Sequence, residues 1–213
     1  MRRSLWRALG CRPRRGGFDS LPSLIFKMNF LESKKKQLLR KDKSNEGSWD
    51  KGISDLCKKI NEKKEYYTTS SCAGRIVLIK ALPEKAKNVF LFKTHEKISF
   101  SQLKKELENA SKKYSRLIYF KQESCILHVA CVDLGSGLKL LNKARIAGWK
   151  RSGMIASGKR VILELMSTEK LELPIMDKGR LLVNDSYLKL IVKEANSKLE
   201  RAREKIKKFK DLI

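Results

Sequence analysis

No apolar run in this 213-residue chain reaches the roughly 18–20 residues that a membrane span requires. The longest candidates, such as Arg75–Leu82, have the length of a strand. The five cysteines (Cys11, Cys57, Cys72, Cys125 and Cys131) are odd in number and include no CxxC pair. That argues against a disulfide framework and a structural zinc site, and the expectation is a reduced, intracellular, cytoplasmic protein with no metal and no membrane attachment. No internal repeat is apparent. Acidic residues are also scarce: 23 against 49 Lys and Arg, a net charge of +26. A Lys-rich solvated surface of the thermophile kind would carry matching Glu, so it does not account for the excess. The excess favours a polyanionic partner, nucleic acid first, with an anionic membrane surface as the rival that charge alone does not exclude.

Hydrophobic residues make up 41% of the chain and are spread along most of it, which is enough for one compact domain or two small ones. Residues 1–27 differ from the rest: they hold six of the fifteen Arg and one of the thirty-four Lys, with Asp19 as their one acid. The expected division is a basic N-terminal extension over 1–27, disordered, non-native or dispensable, and a single domain over 28–213. An organelle transit segment is the weaker reading, because Pro13, Gly16 and Gly17 interrupt any long amphipathic helix.

Spacing predicts helices over Asn29–Lys41 and Asp50–Lys63, with Ser48 or Asp50 as cap of the second. Further helices are predicted over Ser99–Tyr114, Leu138–Ala147 and Ser186–Leu212. Strands are predicted over Ile76–Leu82, Val89–Thr94, Leu117–Lys121, Ile126–Val132, Leu171–Leu173 and Leu181–Val183. Met154–Ala156 and Val161–Met166 form a hairpin turning through Ser157, Gly158 and Lys159. The order gives an α+β domain with a mixed or largely antiparallel sheet and flanking helices.

Asp133-Leu134-Gly135-Ser136-Gly137 comes after a strand and opens a helix, as in the glycine-rich motif of Rossmann-type methyltransferases. The third glycine is replaced by Lys139, and the C-terminal third of the chain reads as strand pairs rather than strand–helix units. The sequence favours a plain cap by Asp133 or Ser136 over a doubly wound sheet.

Tyr66–Arg75 reads as an irregular polar turn between a helix and a strand, because Ser and Thr hydroxyls compete with backbone pairing. Such a turn gathers N–H and O–H donors for an anionic or zwitterionic ligand, and Arg75 can grip a carboxylate. The run resembles the signature of the tRNA wybutosine-synthesizing protein 3 family: Ser or Thr, any residue, Ser-Ser-Cys, any residue, Gly-Arg. It maps onto Thr68, Ser70, Ser71, Cys72, Gly74 and Arg75. Gly47–Asp50, Lys59–Asn61, Ile126–Val129, Ala147–Gly153 and Glu194–Lys198 agree with it, and the resemblance spans some 185 residues from Asn29 to Ile213.

The resemblance implies a non-Rossmann methyltransferase. Its donor would be S-adenosylmethionine, and its acceptor N4 of a 4-demethylwyosine-type base next to the anticodon of tRNA-Phe. It places Thr68, Ser70, Ser71, Cys72, Gly74 and Arg75 at the cofactor and Asp50, His128 and Ser71 at the reaction. His128 would serve as a base, with Asp50 orienting it, stabilising the sulfonium or taking the proton itself. Cys72 reads as a small packed residue. The family usually has a Trp where this chain reads Phe90–Thr94, so the resemblance carries no role over to His95. Trp149 stands where the family favours Phe. On the final helix Lys198, Arg201, Lys205 and Lys208 recur at spacings of three and four. With Lys34–Lys36 and Arg151 they form the expected phosphate-binding surface. The competing functions are a non-catalytic RNA-binding protein, and a Rossmann methyltransferase built on Gly135 and Gly137.

Overall fold

The computed structural model describes residues 21–39, 50–81, 89–158 and 160–213. Its helices are α1 (Leu21–Leu38), α2 (Ser54–Glu62), α3 (Phe100–Lys113), α4 (Leu134–Ile146) and α5 (Asp185–Leu212). Its strands are β1 (Tyr66–Cys72), β2 (Arg75–Lys80), β3 (Phe90–Thr94), β4 (Ile118–Glu123), β5 (Ile126–Cys131), β6 (Gly153–Ala156), β7 (Val161–Met166), β8 (Leu171–Asp177) and β9 (Arg180–Leu181). They form two sheets, β1-β5-β7-β6 and β3-β2-β4-β8-β9. Every pairing is antiparallel. The α+β reading holds, and the strands divide between two sheets rather than filling one. A doubly wound Rossmann sheet is parallel, so the alternative built on Gly135 and Gly137 fails here. Asp133 caps α4 by accepting from the Ser136 N–H at 2.7 Å, as the plain reading of that segment expects.

Three connections carry the chain from one sheet to the other: Ala73–Gly74 after β1, Ser124–Cys125 before β5, and 167–170 after β7. The two sheets therefore share a seam. Helix α5 runs along it, with an axis of about 42 Å at 1.5 Å per residue. Leu188, Ile191, Val192, Ala195 and Leu199 enter the core of the second sheet, with α3. Ala202, Ile206 and Phe209 enter that of the first, with α2 and α4. One amphipathic stripe thus spans two cores.

Tyr66–Cys72 is not a turn. It is an edge strand paired with β5, with a register shift between Thr68 and Ser70, and only Ala73–Gly74 is left as connection. The hydroxyl side chains that suggest a turn include β-branched Thr68 and Thr69, behind two tyrosines, and these suit a pleated surface once a partner strand supplies the ladder. Gly74 has φ 93°, and a Cβ there would stand 3.0 Å from the Glu123 carbonyl, so the seam requires glycine at that point. Helix α2 begins later than expected: Ile53 is its N-cap, without a side-chain bond, and Asp50 is occupied elsewhere. The other expected cap, Ser48, and Lys159 of the expected hairpin turn lie outside the described residues. The first helix starts at Leu21 and so crosses the boundary expected at Met28. Residues 1–20 of the expected extension are outside the described residues.

Candidate active site

The seam between β1 and β2 gathers Asp50, Cys72, His95, Arg75 and Glu123. Asp50 sits on the turn before α2. One of its oxygens accepts from the Gly52 N–H at 3.1 Å. The other accepts from the Ala73 N–H at 2.8 Å and lies 2.8 Å from His95 Nδ1. Gly52 lets this turn lie close against the strand, since a Cβ there would be 2.8 Å from the Ala73 Cβ. His95 Nδ1 also reaches the Gly74 carbonyl at 3.0 Å, so its N–H is shared between that oxygen and the carboxylate. Asp50 and His95 together pin the two-residue connection that joins the sheets.

The charges follow from this geometry. The hydrogen bond to Asp50 pushes the His95 imidazole up to about 10, helped by Cys72 and opposed by partial burial. Burial pushes the Asp50 carboxyl up, but His95 and the Ala73 and Gly52 N–H groups outweigh it and hold it below the ordinary carboxylate range. At neutral pH the pair is therefore a carboxylate and an imidazolium, and His95 is no proton acceptor. Its stabilising effect is full below an imidazole's ordinary value near 6.5 and fades as pH rises toward about 10. On the acid side it is lost as pH falls below the ordinary carboxylate range. The chain has two histidines, so an NMR titration reads each one cleanly. His95 is expected to stay protonated past pH 8 in the wild type, and Asp50→Asn to return its midpoint toward roughly 6.5. A wild-type midpoint below pH 7.5 would contradict the pairing.

His128 stands apart from Asp50, and the expectation that Asp50 orients it does not hold. On β5 it is cross-strand from Ser70 of β1 and from Glu164 of β7. Its Nδ1 is 2.8 Å from Ser70 Oγ and its Nε2 is 2.9 Å from Glu164 Oε2. A carboxylate only accepts, so Nε2 carries the hydrogen in the neutral ring and Nδ1 accepts from the Ser70 hydroxyl. Ser70 is exposed, which leaves this Ser–His–Glu row open to a ligand at one end.

The other residues of the signature fall in different places. Ser71 pairs with Leu127 on the core side of β1, beside the Cys57 thiol and away from His128. Thr68 is buried, its hydroxyl and N–H both bonded to Asn61, at 3.0 and 2.8 Å. Cys72 is half-buried; its sulfur and donor atoms of Asp50 and His95 lie within 4.8 Å of one another, the one such trio among the described residues. Two of the three are already bonded to each other. Arg75 is paired with Glu123 through Nε at 2.5 Å and stacks on the exposed Phe90 ring at 4.9 Å. Arg75 and Glu123 present a cation and an anion side by side, the complement of a zwitterionic amino-acid group.

Of the expected phosphate surface, Lys205 is a correction. It forms an ion pair with the buried Glu169 and bonds Thr168 at 3.0 Å, so it serves the interior rather than an RNA. Lys198 and Arg201 both lean on Glu194, at 3.6 and 3.5 Å. Lys208 and Arg151 are exposed, and their side chains have no ion pair among the described residues.

This geometry and the sequence signature meet in comparisons with known proteins. The sequence profile described as Methyltransferase TYW3 matches residues 27–213. The chain belongs to the methyltransferase TYW3 family. A relative from Methanocaldococcus jannaschii is 40% identical over 182 residues, covering 83% of this chain and 93% of its own. One from Thermococcus sibiricus is 36% identical, covering 89% of this chain and 96% of its own. Both are named tRNA(Phe) 7-((3-amino-3-carboxypropyl)-4-demethylwyosine(37)-N(4))-methyltransferase. Among solved structures, the PH1069 protein of Pyrococcus horikoshii superposes with a TM-score of 0.78 at 33% identity, covering 87% of this chain and 94% of its own. A protein of Aeropyrum pernix gives 0.65 at 28% identity, covering 77% and 99%. In this TYW3 chain His95, Glu123 and Glu164 are the site residues that sequence reasoning missed. The alternation of β7 leaves Glu164 as a charge on an outward position between Leu163 and Leu165, a signal for exposure but not for its partner.

Proposed function

We propose that this chain transfers a methyl group from S-adenosylmethionine to N4 of a 4-demethylwyosine-type base next to the anticodon of tRNA-Phe. The observation that carries the reading is that the signature strand β1 delivers Ser70 to the His128–Glu164 row and ends at the pinned seam where Arg75 and Glu123 lie. The donor set suits the cofactor: Arg75 for a carboxylate, Glu123 for an ammonium, and the Phe90 ring beside them. When bound, S-adenosylmethionine supplies an electrophilic methyl group on a sulfonium.

The protein's own residues do the rest. Positioning supplies much of the rate, and the Asp50–His95 pair fixes the connection from which Arg75 extends. The acceptor nitrogen must lose a proton as it is methylated. Ser70 takes that proton at Oγ while passing its own to His128 Nδ1, and Glu164 stabilises the imidazolium that forms. Lys198, Arg201, Lys208, Lys34–Lys36 and Arg151 supply cations for the phosphates. Among the described residues no helix is long and apolar enough to cross a membrane, and a cytoplasmic enzyme whose single domain takes in α1, with the residues before that helix dispensable, completes the proposal.

Calorimetric titration with S-adenosylmethionine tests the binding half. Heat is expected with the wild type, and Arg75→Ala should weaken binding by about 1.5–3 kcal/mol. A titration without heat would favour an RNA-binding protein that lacks the transfer activity.

A further inference from the structure

A cavity lies on the same face of the first sheet as His128, under α1. It has a volume of about 420 Å³, within the roughly 300–1,000 Å³ usual for small-molecule sites. Ala130 and Tyr67 line it from the sheet and Phe30 from the helix, with the two rings 5.1 Å apart and tilted by 48°. Tyr67 is 3% exposed, yet its hydroxyl makes no hydrogen bond among the described residues. The hydroxyl is not among the enclosed polar atoms that lack a partner, and Tyr67 lines the cavity, so its oxygen is available to a ligand's polar atom there. Lys36 and Arg160 line the cavity as well; both are exposed, with no ion pair among the described residues, and Glu32 is the one acid there. The cavity is therefore aromatic inside with a cationic surplus around it.

Its position relates it to the reaction. Tyr67 pairs with Ala130 and Ser70 with His128, and Ala130 is two residues from His128 on one face of β5. Two residues of strand span about 7 Å. We infer that this cavity holds a nucleotide of the tRNA strand flanking the target base, with its base against Phe30 and bonded to the Tyr67 hydroxyl, and its phosphate between Lys36 and Arg160. Aromatic walls and paired cations are how single-stranded RNA is held, a base on the rings and the backbone on the charges. The inference rests on the tRNA substrate proposed above.

Two variants test it, with a tRNA-Phe transcript and S-adenosylmethionine as separate probes. Tyr67→Phe keeps both rings and should weaken RNA binding about fivefold, the size of one lost hydrogen bond. Lys36→Gln with Arg160→Gln alters two exposed side chains and should lower the salt slope of RNA affinity by about two. Affinity for S-adenosylmethionine should stay unchanged in both. Unchanged RNA affinity and slope in both variants would overturn the inference. So would a loss of S-adenosylmethionine affinity in Tyr67→Phe, which would make the cavity the cofactor's. A wild type that binds no tRNA would instead remove the substrate reading beneath it.

Discussion

Replacing His128 with alanine is expected to slow methyl transfer by about a hundred- to ten-thousand-fold, the range a general base contributes. The loss should appear in kcat, with S-adenosylmethionine and tRNA affinities within about twofold of wild type, because the ring acts on a proton that moves only in the transition state. Glu164→Gln keeps a hydrogen-bonding group against Nε2 but removes the charge that stabilises the imidazolium, and its rate should fall between those of the wild type and His128→Ala. Single-turnover kinetics with saturating donor would show the difference. A His128→Ala enzyme that keeps more than half its rate would exclude the Ser70–His128–Glu164 relay.

Trp149→Ala should destabilise the fold by about 3–5 kcal/mol. The indole is fully buried, packs on Phe209 at 5.4 Å and donates from Nε1 to the Lys205 carbonyl at 3.2 Å. It joins the turn after α4 to the last third of α5, so its removal leaves a cavity between elements that both flank the first sheet. Trp149→Phe keeps an aromatic body and should cost less than about 1.5 kcal/mol. Urea denaturation of the two variants measures both values. A cost under about 1 kcal/mol for the alanine variant would mean that the site collapses around the gap.

The features legible in the sequence divide from the rest along local and non-local lines. The stripe of α5 and the periodicity of α3 name their buried faces, because a helix's pattern is written in its own residues. The hairpin of β6 and β7 is legible for the same reason. The strand β1 is not: its Ser and Thr residues signal a turn taken alone, and only β5, more than fifty residues on, makes them a strand. The site shows the same division. Resemblance brings out Asp50, His128 and the signature, but not that Asp50 meets His95 while His128 meets Glu164. Those pairings depend on register between strands and on the seam, and neither has a local trace. Lys205 reads as one more base on a polar face until Glu169, thirty-six residues earlier, is found beneath it.

Methylation of a base of tRNA-Phe by this chain is tested most directly by mass spectrometry of nucleosides. The substrate is tRNA-Phe carrying the 4-demethylwyosine-type base, incubated with the protein and isotope-labelled S-adenosylmethionine. The expected result is one labelled methyl group on N4 of that base, with the other nucleosides unlabelled. Binding of both donor and tRNA without label in that base, or label in a different nucleoside, would contradict it.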